Sequence, residues 1–218
     1  ADYWHTVVID ECHHIAAQGF ERLASRIQPK ILLGLTATPE RADGKSILRF
    51  FDNRPDGTPA AELRLWRALD LQLLCPFEYY ACDDDTDLSS VPWQRAGETA
   101  ALDKLVSGNS QRAKAIVRAW NELVSDPREC RTLVFCVSIA HAEFMTRFFN
   151  QAGIISKLIT SHTPSADRAA IPRALEAGDI HAIVTVDIFN EGVDLPFVDT
   201  LLFLRPTQSA TVFQQQLG

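Results

Sequence analysis

Five short apolar runs recur along the chain, and each has the length and composition of a buried strand. They are rich in Val, Ile and Leu and lack the polar alternation of a half-exposed strand, which is typical of strands covered on both faces in a parallel sheet. The runs are residues 6–9, 31–35, 133–136, 182–186 and 201–204. The pattern therefore predicts parallel sheets.

The segments between the later runs have a helical period. Apolar residues recur at spacings of three and four in two stretches, so each predicted helix turns one apolar stripe toward a sheet. The first stripe is Ala113, Ile116, Val117, Trp120, Leu123 and Val124, and the second is Ala142, Met145, Phe148, Phe149 and Ala152. Strands that alternate with such helices predict a doubly wound α/β fold.

A further helix is predicted over residues 164–177. Thr163 is a candidate N-cap, and Gly178 is a C-terminal stop. Pro172 lies inside this segment and predicts a kink or a break, because proline lacks the backbone N–H that the helix needs.

Residues 83–97 differ in character from the rest of the chain. They are acidic, contain Ser, Pro and Gly, and show no clear period. They are interpreted as a connection between two domains, with a helix over residues 98–106 attached to it. The predicted organisation is a first domain at 1–82, a linker at 83–109 and a second domain at 110–218.

Composition narrows the function classes. The 218 residues are 46% hydrophobic and 22% charged, as in an ordinary soluble globular protein, and no apolar run approaches the roughly 20 residues of a membrane helix. The first residues do not resemble a secretory signal, so the cytoplasm is the expected location. A net charge of -7 argues against coating duplex DNA through many phosphate contacts, but it leaves open a motor that grips one strand locally.

The five cysteines contain no Cys-x-x-Cys pair, and their number is odd. This pattern favours buried free thiols over a disulfide framework or a zinc site.

Polar residues follow several of the apolar runs, at the strand ends where open parallel sheets bind ligands. The first run ends in Asp10, Glu11, Cys12 and His13. An Asp at this position can hold Mg²⁺, and an adjacent Glu can orient and deprotonate a water aimed at a γ-phosphate. The alternative is a polar strand end that caps the next helix, and spacing alone does not decide between them.

The second run is followed by Thr36, Ala37, Thr38 and Pro39. Its hydroxyls are candidates to bond with His13 or a neighbouring loop, and so to couple two sites. The alternative is a simple turn.

Near the fourth run, Thr185 is followed by Gly192 and Asp194. The glycine would let the backbone approach a ligand, the aspartate would accept a hydrogen bond from a ribose hydroxyl, and Thr185 would meet a nucleic-acid phosphate. The last polar element, residues 215–218, begins with Gln215.

Taken together and in this order, these segments resemble the superfamily II helicases and translocases of the DEAD/DEAH type. Residues 10–13 resemble motif II in its Asp-Glu-Cys-His form, 36–38 resemble motif III, and 133–138 are similar to motif IV. Residues 185–194 resemble motif V, and 215–218 resemble the start of motif VI. The stretch 135–216 is similar to bacterial restriction-type translocases, some of which also carry a phospholipase-D-like nuclease domain.

The resemblance implies two RecA-like α/β domains with mainly parallel sheets flanked by helices, the first of them incomplete. They would clamp ATP and Mg²⁺ between them and hold a nucleic-acid strand. DNA is favoured over RNA as that strand, and the sequence leaves the choice open. The resemblance also implies roles for individual residues. Asp10 would coordinate Mg²⁺, Glu11 would be the general base, and His13 would act with Thr36 and Thr38 to couple the sites. Those implied to bind ATP are Gly192, Asp194 and Gln215, and those implied to bind nucleic acid are Ser138, Ser161 and Thr185. The alternative for these three hydroxyls is that they cap the following helix.

Two features of the family are missing from the sequence. No Gly-x-x-x-x-Gly-Lys-Ser/Thr loop occurs to hold the phosphates, and no arginines follow Gln215. The expectation is that this chain is part of an ATP-dependent helicase or translocase and is inactive alone, with an exposed apolar face on its first sheet. Two alternatives remain: a nucleic-acid-binding module that works without ATP, and a structural domain whose motif-like turns are accidental.

Overall fold

The computed structural model describes residues 3–15, 22, 26–27, 29–37, 47–52, 54–82, 86–87, 91, 98–186, 188–189 and 195–205. They form two compact units, one up to Tyr80 and the other from Ala81 onward. Each unit is built on a parallel sheet with flanking helices, so the predicted α/β class is confirmed. No helix in the described ranges has the length and apolar character to cross a membrane.

The first unit contains two parallel strands, β1 (Thr6–Ile9) and β2 (Ile31–Gly34). Short 3₁₀ turns follow at Cys12–His14 and Leu48–Phe50, and helix α1 covers Leu65–Asp70. One face of the strand pair packs on a small core. That core consists of Cys12, Ile15 and Ile47, with Ile9, Phe50 and Phe51 against it.

The other face of this strand pair is exposed. Val8 is 54% exposed, Ile31 52% and Leu33 45%, because alternate residues of both strands point away from the small core. The prediction that these two strands are buried on both faces is therefore wrong, whereas the expected exposed apolar face is present.

Among its described residues, the second unit has four parallel strands in the order β4-β5-β3-β6, and four helices. The strands are β3 (Thr132–Phe135), β4 (Ser156–Ile159), β5 (Ala182–Thr185) and β6 (Thr200–Phe203). The helices are α2 (Glu98–Val106), α3 (Ser110–Leu123), α4 (Ile139–Gln151) and α5 (Ser165–Ala177). All residues of the central strands β3 and β5 are buried, as their uninterrupted apolar runs predict. Strands β2, β3, β5 and β6 each end one residue earlier than the apolar run that predicted them ends.

The core of the second unit has one cluster on each face of the sheet. Val134 belongs to the cluster that also contains residues of α3 and α4, and its neighbours Leu133 and Phe135 belong to the other, with residues of α5. The two predicted helical stripes enter the first cluster through Ala113, Trp120, Ala142, Met145 and Phe149, all buried. The predicted burial of these stripes is wrong only at the helix ends, where Leu123 and Ala152 are exposed.

Helix α5 corrects two sequence predictions. Pro164, not Thr163, occupies the N-cap position, because the Thr163 hydroxyl accepts a hydrogen bond from the Thr160 N–H at 2.9 Å instead. Pro172 does not break the helix, which continues to Ala177 and is anchored by the fully buried Leu175. Gly178 ends the helix in the left-handed conformation, φ 82°, as predicted.

The cysteines are free thiols, but the prediction that they are buried holds only in part. Cys12 and Cys136 are buried, whereas Cys75 and Cys82 are exposed in a stretch after α1 that has neither helix nor strand.

His141, in the first turn of α4, is fully buried. Its Nδ1 accepts a hydrogen bond from the Val137 N–H at 3.3 Å, which requires a neutral imidazole. Burial, aided by the charge of Arg112, lowers the pKa of His141 to about 4, against a smaller opposing effect of Asp103. Folding therefore favours the uncharged form of this side chain.

This pKa predicts acid sensitivity. His141 binds its proton near pH 6.5 in the unfolded chain but only near pH 4 in the folded chain. The stability that comes from keeping His141 neutral is therefore fully present above pH 6.5 and is lost as the pH falls toward 4. The free energy of unfolding should fall by roughly 3 kcal/mol across this window. Denaturant unfolding at a series of pH values measures it. His141→Gln should flatten the profile, and an equally steep profile in that variant would contradict the assignment.

Candidate nucleotide site and polar strand ends

The hydrogen-bond ladder between β1 and β2 continues past the strands and shapes the turn that follows. Ile9 pairs with Gly34, so the two strands end level with each other. The Leu35 N–H donates to the Ile9 carbonyl at 2.9 Å, and the Cys12 N–H donates to the Leu35 carbonyl at 2.8 Å. The turn after β1 is thereby fixed beside the residues that follow β2.

Gly34 permits this close packing. A Cβ atom at this position would lie 2.4 Å from Cζ of Phe51 and 2.9 Å from Sγ of Cys12, well inside contact distance. Only a residue without a side chain fits between the turn and the Phe51 ring.

Glu11 has a backbone conformation that is rare outside glycine. Its φ is 48° and its ψ is 46°, in the left-handed region, which costs a residue with a Cβ about 1–2 kcal/mol. Its N–H donates to Oδ1 of Asp10 at 3.0 Å. Strain of this kind concentrates at functional sites, where the surrounding structure holds it in place.

The structure brings Glu11, His13 and Thr36 together. His13 is 7% exposed, and its Nδ1 is hydrogen bonded to the Thr36 hydroxyl at 3.0 Å. The same nitrogen is 3.3 Å from Oε2 of Glu11. Within the described part of the chain this buried Oε2 accepts no hydrogen bond. The contact between His13 and Thr36 that the sequence suggested is thus present.

This arrangement fits the chemistry of a Mg²⁺-nucleotide site. Asp10 is exposed, and Mg²⁺ commonly takes only one or two protein carboxylates, since water and substrate phosphates supply its other ligands. A carboxylate such as that of Glu11 can accept a proton from water, but its unpaired Oε2 is buried in this conformation, so water would have to reach it through a rearrangement. No group of three or more His, Cys, Asp or Glu side chains arranged to hold a metal occurs among the residues described.

Three hydroxyls predicted to meet nucleic acid lie at or after strand ends of the second unit, in three different environments. Ser138 caps α4: its Oγ accepts from the His141 N–H at 3.0 Å, as the alternative interpretation held. Ser161 is exposed and caps no helix, and its carbonyl accepts from Arg168 at 2.6 Å. Thr185 is fully buried, so its hydroxyl does not reach the surface in this conformation.

Four predicted site residues lie outside the described residues. They are Thr38, Gly192, Asp194 and Gln215. Their roles, including the proposal that Asp194 meets a ribose, stay predictions.

Sequence reasoning missed two residues that shape these sites. Gly34 carried a usable signal, since an isolated glycine in a strand often marks a close approach of other atoms. Asp103 carried none: it lies in a helix assigned to the linker, and it accepts a hydrogen bond from Ser138, far away in sequence.

Two family models match the chain. The model described as "Type III restriction enzyme, res subunit" matches residues 1–41, and the one described as "Helicase conserved C-terminal domain" matches residues 115–218. The two matches together support a superfamily II helicase. Both matched segments contain motifs by which the sequence resembled that superfamily.

Relatives of this helicase chain cover nearly its whole length. The putative ATP-dependent helicase IRC3 of Saccharomyces cerevisiae is 27% identical over 97% of the chain, which spans 31% of that protein. The putative DNA 3'-5' helicase Rad25 of Halobacterium salinarum is 29% identical over 88% of the chain, which spans 30% of that protein. The chain therefore covers less than a third of either relative.

Solved structures of helicases share its fold. S. cerevisiae Dbp5 bound to RNA and ADP BeF3 matches 99% of the helicase chain with a TM-score of 0.56 and 12% identity, over 50% of its own chain. Mycobacterium smegmatis helicase Lhr bound to ssDNA and AMP-PNP matches 98% of it with a TM-score of 0.57 and 19% identity, over 26% of its own chain. At these identities the matches show the RecA-like fold alone.

Gly34→Ala should destabilise the first unit. The added methyl group overlaps the Phe51 ring and the Cys12 sulfur, and overpacking of this kind typically costs about 1–3 kcal/mol. Denaturant unfolding measures the loss. A second change, Phe51→Leu, makes room for the methyl group and should recover part of the stability; equal stability of wild type and Gly34→Ala would contradict the close packing.

The bond between His13 and Thr36 should appear as coupling between the two residues. Thr36→Val keeps the shape of the side chain and removes the hydroxyl, and Thr36→Ser serves as the control that keeps it. In a double-mutant cycle on the free energy of unfolding, Thr36→Val combined with His13→Ala should give a coupling energy of about 0.5–1.5 kcal/mol. Thr36→Ser combined with His13→Ala should give a coupling energy close to zero. Additive effects of His13→Ala and Thr36→Val would contradict the contact.

Proposed function

We propose that this chain provides part of the ATP-hydrolysing machinery of a motor that moves on nucleic acid, with Asp10 and Glu11 as its acidic pair. The observation that carries the proposal is the state of Glu11. It is strained, it follows a parallel strand, and it keeps one buried carboxylate oxygen 3.3 Å from His13 without a hydrogen bond. A carboxylate held in this way is suited to accept a proton.

The chain's own residues divide the work as follows. Asp10 would hold Mg²⁺, which supplies neutralisation of the charge on the ATP phosphates. Glu11 orients the attacking water and takes its proton on the side-chain carboxylate. His13 lies beside the Glu11 carboxylate and is hydrogen bonded to Thr36. A shift of Glu11 would therefore be transmitted through His13 to Thr36, and a shift of Thr36 to Glu11.

The remaining site residues complete the proposal. Gly192, Asp194 and Gln215 would contact the nucleotide, and Thr38 would join Thr36 in coupling. Ser138 and Ser161 would contact the nucleic-acid backbone, and Thr185 would do so only after a rearrangement that exposes it. Because the 218 residues contain no Gly-x-x-x-x-Gly-Lys-Ser/Thr loop, the proposal includes that the chain alone does not turn over ATP.

The proposed partner is nucleic acid, and DNA is favoured over RNA. Rad25 of H. salinarum is named as a DNA helicase and the Lhr structure holds ssDNA, whereas the Dbp5 structure holds RNA. A net charge of -7 is consistent with local contacts to one strand rather than a broad basic surface. A cytoplasmic location and a nuclease domain in the same protein are also part of the proposal.

Glu11→Gln in the complete protein should abolish the ATP hydrolysis that nucleic acid stimulates. Loss of a general base typically lowers a rate by about 10² to 10⁴, and the amide keeps the size of the side chain without its basicity. Steady-state ATPase assays with and without single-stranded DNA measure the effect. Glu62→Gln, a change at an exposed carboxylate of the same unit, is the matched control and should leave the rate unaltered.

The ATPase assay has three informative outcomes. An unchanged rate in Glu11→Gln would remove this residue from the mechanism. A wild-type protein that binds DNA but never hydrolyses ATP would favour the binding module instead. Wild-type hydrolysis lost only in Glu11→Gln supports the motor.

A further inference from the structure

One carboxylate of helix α2 contacts Ser138, the N-cap residue of α4. Oδ1 of Asp103 accepts hydrogen bonds from the hydroxyls of Ser138 and Ser107. The Ser138 oxygen in turn accepts from the His141 N–H at the start of α4, at 3.0 Å. The hydroxyl of Ser138 is thus engaged both as donor and as acceptor.

Apolar contacts hold this carboxylate in position. Leu102 and Val106, on the same helix as Asp103, pack against Val137, the residue directly before Ser138. Gly108 follows the helix with φ 85°, a turn conformation that favours glycine. Asp103 is therefore presented to Ser138 by a packed helix rather than by a loose loop.

The chemistry of the hydroxyl makes this contact exclusive. A serine hydroxyl has one hydrogen to donate, and here it is donated to Asp103. The non-bridging oxygens of a phosphodiester are acceptors, so Ser138 can bond to one only by donating that same hydrogen. The carboxylate charge of Asp103 also repels a phosphate that approaches the same place.

We propose that Asp103 is a positioning residue that competes with nucleic-acid phosphates for the hydroxyl of Ser138. The inference rests on the proposed function, in which Ser138 contacts the nucleic-acid backbone. In the conformation described, Asp103 keeps Ser138 withdrawn from phosphate. A displacement of α2 releases the hydroxyl, so the position of this helix sets the affinity for the strand.

The test compares two replacements of Asp103 in the complete protein. Asp103→Asn removes the charge but keeps a carbonyl oxygen that accepts from Ser138, whereas Asp103→Ala removes both. Affinity for a labelled single-stranded oligodeoxynucleotide is measured at one fixed salt concentration. The Ala variant should bind about threefold to tenfold more tightly than the Asn variant, which corresponds to the net worth of one hydrogen bond.

Two controls separate competition from other effects. In a Ser138→Ala background the difference between the Ala and Asn variants should vanish, because no hydroxyl remains to be released. Ser107→Ala removes the other donor to Asp103 but leaves the bond to Ser138, so it should not raise the affinity. If Asp103→Ala fails to fold, Asp103→Leu, which has a similar shape and favours helix, replaces it in the comparison.

Equal affinities of the Ala and Asn variants, or a difference that persists without Ser138, would overturn the inference and leave the proposed function intact. A purely structural role predicts lower thermal stability with no gain in affinity, which also overturns it. Failure of the proposed function is visible separately, since the wild-type protein would then bind no oligonucleotide, or would bind it and never hydrolyse ATP.

Discussion

The candidate nucleotide site depends on two parallel strands that end level with each other. Because Ile9 pairs with Gly34, the residues after both strands leave the sheet side by side, and the bond from the Cys12 N–H to the Leu35 carbonyl joins them. The bond from the Leu35 N–H to the Ile9 carbonyl and the bond between His13 and Thr36 hold the same two segments together. The absent side chain of Gly34 is a condition of the same contact, since a methyl group there would push against Cys12.

The strain at Glu11 follows from this constraint. The chain must turn immediately after β1 so that Cys12 can bond to Leu35, and the left-handed conformation of Glu11 makes that turn. Burial of Cys12 and Ile15 in the small core offsets the cost, because fully burying an aliphatic side chain contributes about 1.5–3 kcal/mol. The same turn places His13 against Thr36 and one Glu11 oxygen beside His13.

Much of this could be predicted from sequence, for reasons that differ between the two units. Strands β3 and β5 are covered on both faces by their own unit, so the uninterrupted apolar runs identified them correctly. The same pattern gave a wrong prediction for β1 and β2, where Val8 and Leu33 are exposed. A run of apolar residues shows that a strand has side chains to bury, but it does not show whether another element covers them. The site partners His13 and Thr36 were identified because both follow strands. Asp103 was not, because a contact between a linker helix and a distant strand end leaves no periodic trace.

Several buried side-chain oxygen and nitrogen atoms in the described residues have no hydrogen-bond partner. Oε2 of Glu11 and Oγ1 of Thr185 are two of these in the described residues, and both follow or end a strand at the edge where parallel sheets bind ligands. A buried polar atom without a partner costs about 1–3 kcal/mol, a large share of the stability of a small unit. A fold that served only as scaffold would gain by replacing Thr185 with Val, which has the same shape and no hydroxyl. The predicted contact with nucleic acid would give this hydroxyl a partner. Thr132, at the start of β3, is buried and unpaired in the same way, so an unpaired hydroxyl does not by itself mark a ligand-binding strand end.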